Sequence, residues 1–205
     1  MNADPAREQL PRANRAREIY LTFDDGPDEE WTPRILDLLA AHDASATFFV
    51  VGRNAEQGAS LLRRMHEAGH RIGNHGYSHR HPWLMTATSA RIEVRRGTDA
   101  IAQAIGVPPR HFRPPFGRSR PAMVEEAKRC GQRVVLWDLS AIDWGPFAKP
   151  DSVERRLGRA RATDVVLLHD ARNRRNHPEV IAAILPRLLQ SFAAQGLVAA
   201  TLPTR

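Results

Sequence analysis

Apolar positions along this chain fall into short runs separated by longer stretches of helical period. Glu18-Ile19-Tyr20-Leu21-Thr22-Phe23 is an alternating, β-favouring run and predicts the first strand. Thr32-Pro33 then opens a helix, with Thr32 as its cap and Pro33 in the first helical position. Ile35, Leu36, Leu38 and Leu39 give that helix its apolar face. Residues 46–51 are continuously apolar, as expected of a strand buried on both faces. A helix over about 55–68 ends at Gly69, and residues 70–74 read as a short strand. A helix over about 86–105 stops at Gly106. Strands are then predicted at 111–113, 133–139, 164–168 and 197–202, and helices at about 120–130, 152–162 and 178–195.

Strand and helix thus alternate about seven times. This predicts an α/β fold with parallel strands joined by right-handed crossovers, either an open sheet or a closed barrel. The 205 residues suit one domain, and a full eightfold barrel usually needs about 250. Residues 1–17 read as a polar, mobile leader and 18–205 as a single domain.

Composition narrows the class. With 42% hydrophobic and 26% charged residues the chain is not disordered or fibrous. The net charge of +7 raises an anionic partner, nucleic acid included, but the arginines are scattered rather than blocked, so no nucleic acid is expected. Cys130 is the one cysteine, which excludes an internal disulfide and a cysteine zinc site; beside Gly131 it reads as a small buried residue at a helix end. No apolar run is long enough for a transmembrane segment. The polar start lacks the apolar core of a signal peptide, so the sequence as written is expected in the cytoplasm, or exported if a signal has been removed.

In α/β folds the chemistry gathers at the carboxyl ends of the strands. The first strand ends in Asp24-Asp25-Gly26-Pro27, where a strand-to-turn transition lets both carboxylates face one cavity; a plain polar turn is the alternative. The third ends in Asn74-His75-Gly76-Tyr77-Ser78-His79-Arg80-His81-Pro82. His75 and His79 are four apart, a spacing that on a helical turn presents both imidazoles to one divalent metal, with His81 as a competing ligand. The fourth ends in Arg113-Pro114-Pro115-Phe116-Gly117, a rigid loop that can offer the Phe116 N–H to a substrate oxygen while Arg113 holds a carboxylate. Asp143-Trp144 follows the fifth strand, and Leu167-Leu168-His169 ends the sixth with a histidine suited to acid–base work. The ordered set supplies a metal site, a spare carboxylate, a spare histidine and an orienter for each, which describes a metal-assisted hydrolase.

From Ile19 to Leu202 the sequence resembles the polysaccharide deacetylases, the carbohydrate esterases sharing the NodB homology domain, with all five motifs in family order. The resemblance implies a distorted (β/α)7 barrel. It implies one divalent metal ion on Asp25, His75 and His79, usually Zn2+, with Co2+, Ni2+ or Mn2+ as substitutes. Asp24 would be the general base, tuned by Arg113. His169 would be the general acid, partnered by Asp143. The Phe116 N–H would stabilise the oxyanion beside Pro115, and Trp144 and Leu167 would wall the acetyl pocket. The substrate class implied is an acetylated glycan, such as chitooligosaccharide or peptidoglycan. An O-acetyl esterase or another amidohydrolase on the same fold, and a non-catalytic glycan-binding module, are the competing readings. Two departures stand out: Gly76 replaces the usual Ser or Thr, and Arg80-His81 precedes the proline that usually follows the second metal histidine directly.

Overall fold

A computed structural model describes residues 17–204; the expected leader lies outside the described residues except for Arg17. The strands are β1 (Glu18–Asp24), β2 (Thr47–Val50), β3 (Arg71–Asn74), β4 (His111–Phe112), β5 (Arg133–Val134), β6 (Leu139–Ser140), β7 (Val165–His169) and β8 (Val198–Ala199). The helices are α1 (Trp31–Ala40), α2 (Gly52–Gln57), α3 (Ala59–Glu67), α4 (Ala87–Ile105), α5 (Pro121–Arg129), α6 (Pro150–Leu157) and α7 (Pro178–Ala194). All strand pairings among the described residues are parallel, in the order β5-β4-β3-β2-β1-β7-β6, with β8 against the start of β1.

The short link between β5 and β6 dictates the shape. These strands lie at opposite edges of the sheet, yet only residues 135–138 join them. Such a link reaches at most about 18 Å, whereas the edges of a flat seven-stranded sheet would stand about 29 Å apart. The sheet must therefore curl into a distorted (β/α)7 barrel with one open seam. The predicted single strand over 133–139 is accordingly two strands with the seam between them. The Val135 N–H donates to Phe112 O on one side (2.9 Å), and the Asp138 N–H donates to Val165 O on the other (2.8 Å).

Alternation along the strands sorts the side chains. Ile19, Leu21 and Phe23 of β1, Phe48 and Val50 of β2, and Val166 and Leu168 of β7 pack outward against Ile35, Leu39, Leu62, Ile101 and Ile184 of the helices. Tyr20, Phe49, Val135, Val165 and Leu202 form a second buried cluster inside the barrel. The inward column of β1 continues through Thr22 to Asp24, so the period-2 geometry itself delivers a carboxylate to the carboxyl end.

Several local expectations are corrected. Thr32 does not cap α1: Asp28 Oδ1 accepts from the Glu30 and Trp31 N–H groups (2.9 Å each), so α1 starts earlier, and the Thr32 hydroxyl donates to buried Asp170 at 2.5 Å. The helix predicted over 55–68 breaks into α2 and α3 at Gly58. The helix expected over 152–162 begins and ends earlier, as α6, with Pro150 in its first turn. The last strand keeps only two residues. Cys130 caps the end of α5 and is partly exposed, not buried. No helix among the described residues is long and apolar enough to cross a membrane.

Candidate active site

Asp24 and His169 are register partners on adjacent β1 and β7, so two titratable side chains end neighbouring strands at one level. Asp25 follows at φ 82°, a left-handed conformation uncommon outside glycine. This breaks the strand alternation, and Asp24 and Asp25 both reach His75: its Nε2 lies 3.6 Å from Asp24 Oδ2 and 3.5 Å from Asp25 Oδ1.

His75 and His79 come together, but not on a helical turn. Gly76 sits at φ 79° and His79 at φ 56°. The loop is pinned by Glu93 of α4, which accepts from the Tyr77 N–H (3.1 Å), the Ser78 N–H (2.8 Å) and the Ser78 hydroxyl (2.8 Å). Gly76 takes its positive φ without the steric cost a side chain would bring. His79 Nε2 lies 3.0 Å from Asp25 Oδ1. His81 is turned elsewhere: its Nδ1 accepts from the Trp83 N–H at 3.3 Å, and its ring stacks on Phe116.

Asp25, His75 and His79 each offer a donor atom within 4.8 Å of the other two. A divalent cation suits them on two further grounds. Asp25 Oδ1 is buried and faces the ring nitrogens of His75 (3.5 Å) and His79 (3.0 Å), the donor set a divalent cation would join. His75 Nδ1 meets the Arg113 carbonyl at 2.7 Å, which fixes the tautomer and leaves Nε2 as a lone pair facing the cluster. Burial, opposed by Asp24, keeps His75 below its ordinary pKa and so toward that neutral form. Burial opposes ionisation of Asp25 too, but the hydrogen bond and charge of His79 outweigh it and hold the carboxyl below its ordinary range.

Arg113 fills the space beneath Asp24. It is 0% exposed, and its guanidinium donates to Thr22 Oγ1 (2.7 Å), Asp24 Oδ1 (2.7 Å), Val135 O (3.1 Å) and Leu136 O (2.9 Å). The Phe49 ring lies 4.0 Å away against its face. Two of its acceptors come from the seam link, so the open barrel is what lets an arginine be satisfied there.

On the other flank, buried Asp143 uses both oxygens on His169: Oδ2 accepts the backbone N–H and Oδ1 meets Nδ1, each at 2.8 Å. Burial alone would lower the His169 pKa, but Asp143 reverses this and raises it to about 9, so the imidazolium is the resting form at neutral pH. Trp144 is half exposed and Leu167 buried nearby on β7. In the loop after β4, Pro115 is buried and Phe116 turns to φ 60°. The next two N–H groups bond back to Pro114 O and Pro115 O.

Two residues escaped the sequence reading. Buried Asn176 donates to Asp25 Oδ2 at 2.7 Å, and Asn173 at 3.3 Å, which leaves Oδ1 for the cluster. Their loop also pairs Asn176 with Trp144, and its His177 N–H donates to Asp143 O at 2.9 Å. One loop thus grips both flanks of the site. Asparagines in an arginine-rich turn carry no motif signal, and only their proximity to Asp25 gives them away.

The sequence model of one family, polysaccharide deacetylase, matches residues 12–135. The chain belongs to the polysaccharide deacetylase family. A peptidoglycan-N-acetylglucosamine deacetylase of Bacillus cereus is 31% identical over 187 residues, covering 91% of this chain and 67% of that protein. A chitooligosaccharide deacetylase of Sinorhizobium fredii is 32% identical over 205 residues, covering 95% and 94%. Among solved structures, a family 4 carbohydrate esterase from Streptomyces lividans in complex with acetate matches with a TM-score of 0.84 and 32% identity, covering 92% of this chain and 94% of the other. The family match ends at Val135, before Asp143 and His169, and the match to the Sinorhizobium fredii protein, which covers 95% of this chain, extends the likeness over that remainder.

Proposed function

We propose that this protein is a metal-dependent N-deacetylase that releases acetate from an N-acetylglucosamine-type glycan, with residues 18–205 acting as one unit. The observation that carries it is the pairing of Asp24 and His169 on neighbouring strands, flanking the Asp25-His75-His79 cluster. A base and an acid on opposite sides of an electrophile site are what hydrolysis of an amide requires.

Two nitrogen donors and one carboxylate with open positions suit Zn2+. When bound, such a cation polarises the acetamide carbonyl and lowers the pKa of water. Asp24 takes the proton of the attacking water on Oδ2, because Oδ1 is engaged by Arg113. Arg113 holds that carboxylate in one orientation. The Phe116 N–H donates to the oxygen as it gains charge; one such donor is typically worth about 3–4 kcal/mol. His169, fixed through Nδ1 by Asp143, gives its Nε2 proton to the leaving nitrogen. Trp144 and Leu167 flank the acetyl methyl. Acetate and a free amine result.

Asp143 raises the His169 pKa and so keeps a proton at hand for a leaving nitrogen. An amine leaves only when protonated, and a histidine that stays protonated at neutral pH meets that need. The test is an acetate-release screen of the zinc-loaded protein over chitooligosaccharides, peptidoglycan fragments and acetyl xylan. Release from the N-acetylated glycans supports the reading; release from acetyl xylan alone identifies an O-acetyl esterase instead.

A further inference from the structure

The loop between β3 and α4 departs from the family pattern by carrying Arg80-His81 before Pro82, and this departure builds a surface. The His81 ring stacks on Phe116 with centroids 4.9 Å apart and planes 30° apart. Phe116 in turn lies 4.6 Å from His79. Trp83 meets His81 edge-on at 5.3 Å, and the Arg118 guanidinium lies 5.3 Å from the Trp83 ring. The rings therefore run outward from a residue of the metal cluster without a break. Trp83 is 63% exposed and Phe116 47%, so neither is held there by core packing.

The strip is nonetheless fixed in place. The Trp83 N–H donates to His81 Nδ1 at 3.3 Å, the Leu84 N–H to His81 O at 3.0 Å, and Arg80 to Leu84 O at 3.0 Å. Arg120 bonds the Met85 carbonyl just beyond. A rigid, exposed aromatic surface costs little entropy when a ligand settles on it. Aromatic faces with polar groups at their edges match one ligand chemistry closely. A pyranose ring offers an apolar C–H face and a rim of hydroxyls; the C–H face covers Trp83, the most exposed of these rings, and the hydroxyls meet Arg118 and His81, which Phe116 backs. Continuity with the metal cluster selects a glycan over a separate partner, since a sugar ring on this strip lies next to one held at the cluster.

We propose that Trp83, His81 and Phe116 form a subsite that holds the sugar ring adjacent to the one undergoing deacetylation. The proposal rests on the deacetylase reading above and makes the enzyme selective for chain length.

The test compares β-1,4-linked N-acetylglucosamine tetramer and dimer as substrates of the zinc-loaded wild type, Trp83→Ala and Trp83→Phe. Loss of one ring contact predicts a KM for the tetramer about tenfold higher in Trp83→Ala, with the loss falling on KM rather than on kcat. Trp83→Phe keeps a ring and recovers most of the loss, and the dimer is affected much less. An unchanged tetramer KM, or an equal rise for both glycans, overturns the proposal. Tetramer binding to the same three proteins, measured by titration calorimetry, separates the two levels of the argument. Weaker binding in Trp83→Ala with recovery in Trp83→Phe supports the subsite even where no acetate is released, a result that overturns the deacetylase reading alone. Equal binding by all three proteins overturns the subsite.

Discussion

Arg113 Nη1 donates to Asp24 Oδ1 at 2.7 Å, with the arginine wholly out of solvent. Burial pulls the Arg113 pKa down, and the Asp24 charge works against that loss. Each ion therefore needs the other. Arg113→Met leaves the Asp24 carboxylate without a counter-charge, and breaking such a pair costs about 3–5 kcal/mol. Denaturant unfolding of the metal-free protein is expected to show that loss. Arg113→Lys keeps the charge but cannot reach Thr22, Asp24, Val135 and Leu136 together, so an intermediate loss is expected. A change below about 1 kcal/mol in Arg113→Met, the range of an exposed ion pair, would show that the pair does not bear on stability.

Asn176 decides which Asp25 oxygen is free for a cation. Its amide occupies Oδ2 at 2.7 Å and leaves Oδ1 toward His79. Loss of a group that orients a ligand typically weakens metal binding about 10–100-fold. Asn176→Ala is expected to fall in that range when zinc affinity is measured by chelator competition. Wild-type affinity in this variant would show that Asp25 is oriented by its backbone alone.

The acid limb of the mechanism gives a pH prediction with a definite sign. As the proposed acid, His169 acts in its protonated form, so kcat is expected to fall as pH rises through its pKa, near 9 before a bound cation draws it lower. In Asp143→Asn the carboxylate that raises this pKa is gone while burial, which lowers it, remains. The alkaline limb of the kcat profile is then expected at lower pH than in wild type. Coincident limbs would show that His169 is not the group being titrated.

Gly97 sets two effects against each other. Replacing a mid-helix glycine by alanine gains about 0.5–1 kcal/mol in helix propensity. Here the new Cβ would stand 2.3 Å from Asn74 Oδ1 and 2.9 Å from the Gly76 carbonyl. Overpacking of this kind typically costs about 1–3 kcal/mol, so Gly97→Ala is expected to destabilise. Because the clash falls on the turn that carries His75, its zinc affinity is expected to drop as well. A variant more stable than wild type would show that the turn is free to move.

The sequence revealed the strands that bear the site because each is a period-2 or continuously apolar run ending in a polar motif. Phe23-Asp24 and Leu168-His169 needed nothing beyond that. The seam was invisible, since 133–139 looks like one strand and only the sheet order reveals that its two ends pair at opposite edges. His75 and His79 come together through a loop rather than a helical turn: Glu93, sixteen residues beyond Tyr77 and fifteen beyond Ser78, closes that loop, a contact their spacing does not encode. Asn173 and Asn176 act through a fold-dependent contact with Asp25, across more than a hundred residues of chain, which no spacing rule encodes.

The central claim is hydrolysis of an N-acetyl group at a metal held by Asp25, His75 and His79. It is tested most directly by acetate release from N-acetylglucosamine tetramer, measured on the zinc-loaded protein, after chelation, and after zinc is returned. Release that stops on chelation and recovers with zinc, with one free amine for each acetate, is the predicted result. Release that persists without metal, or no release from the N-acetylated glycan in any form, would contradict the account.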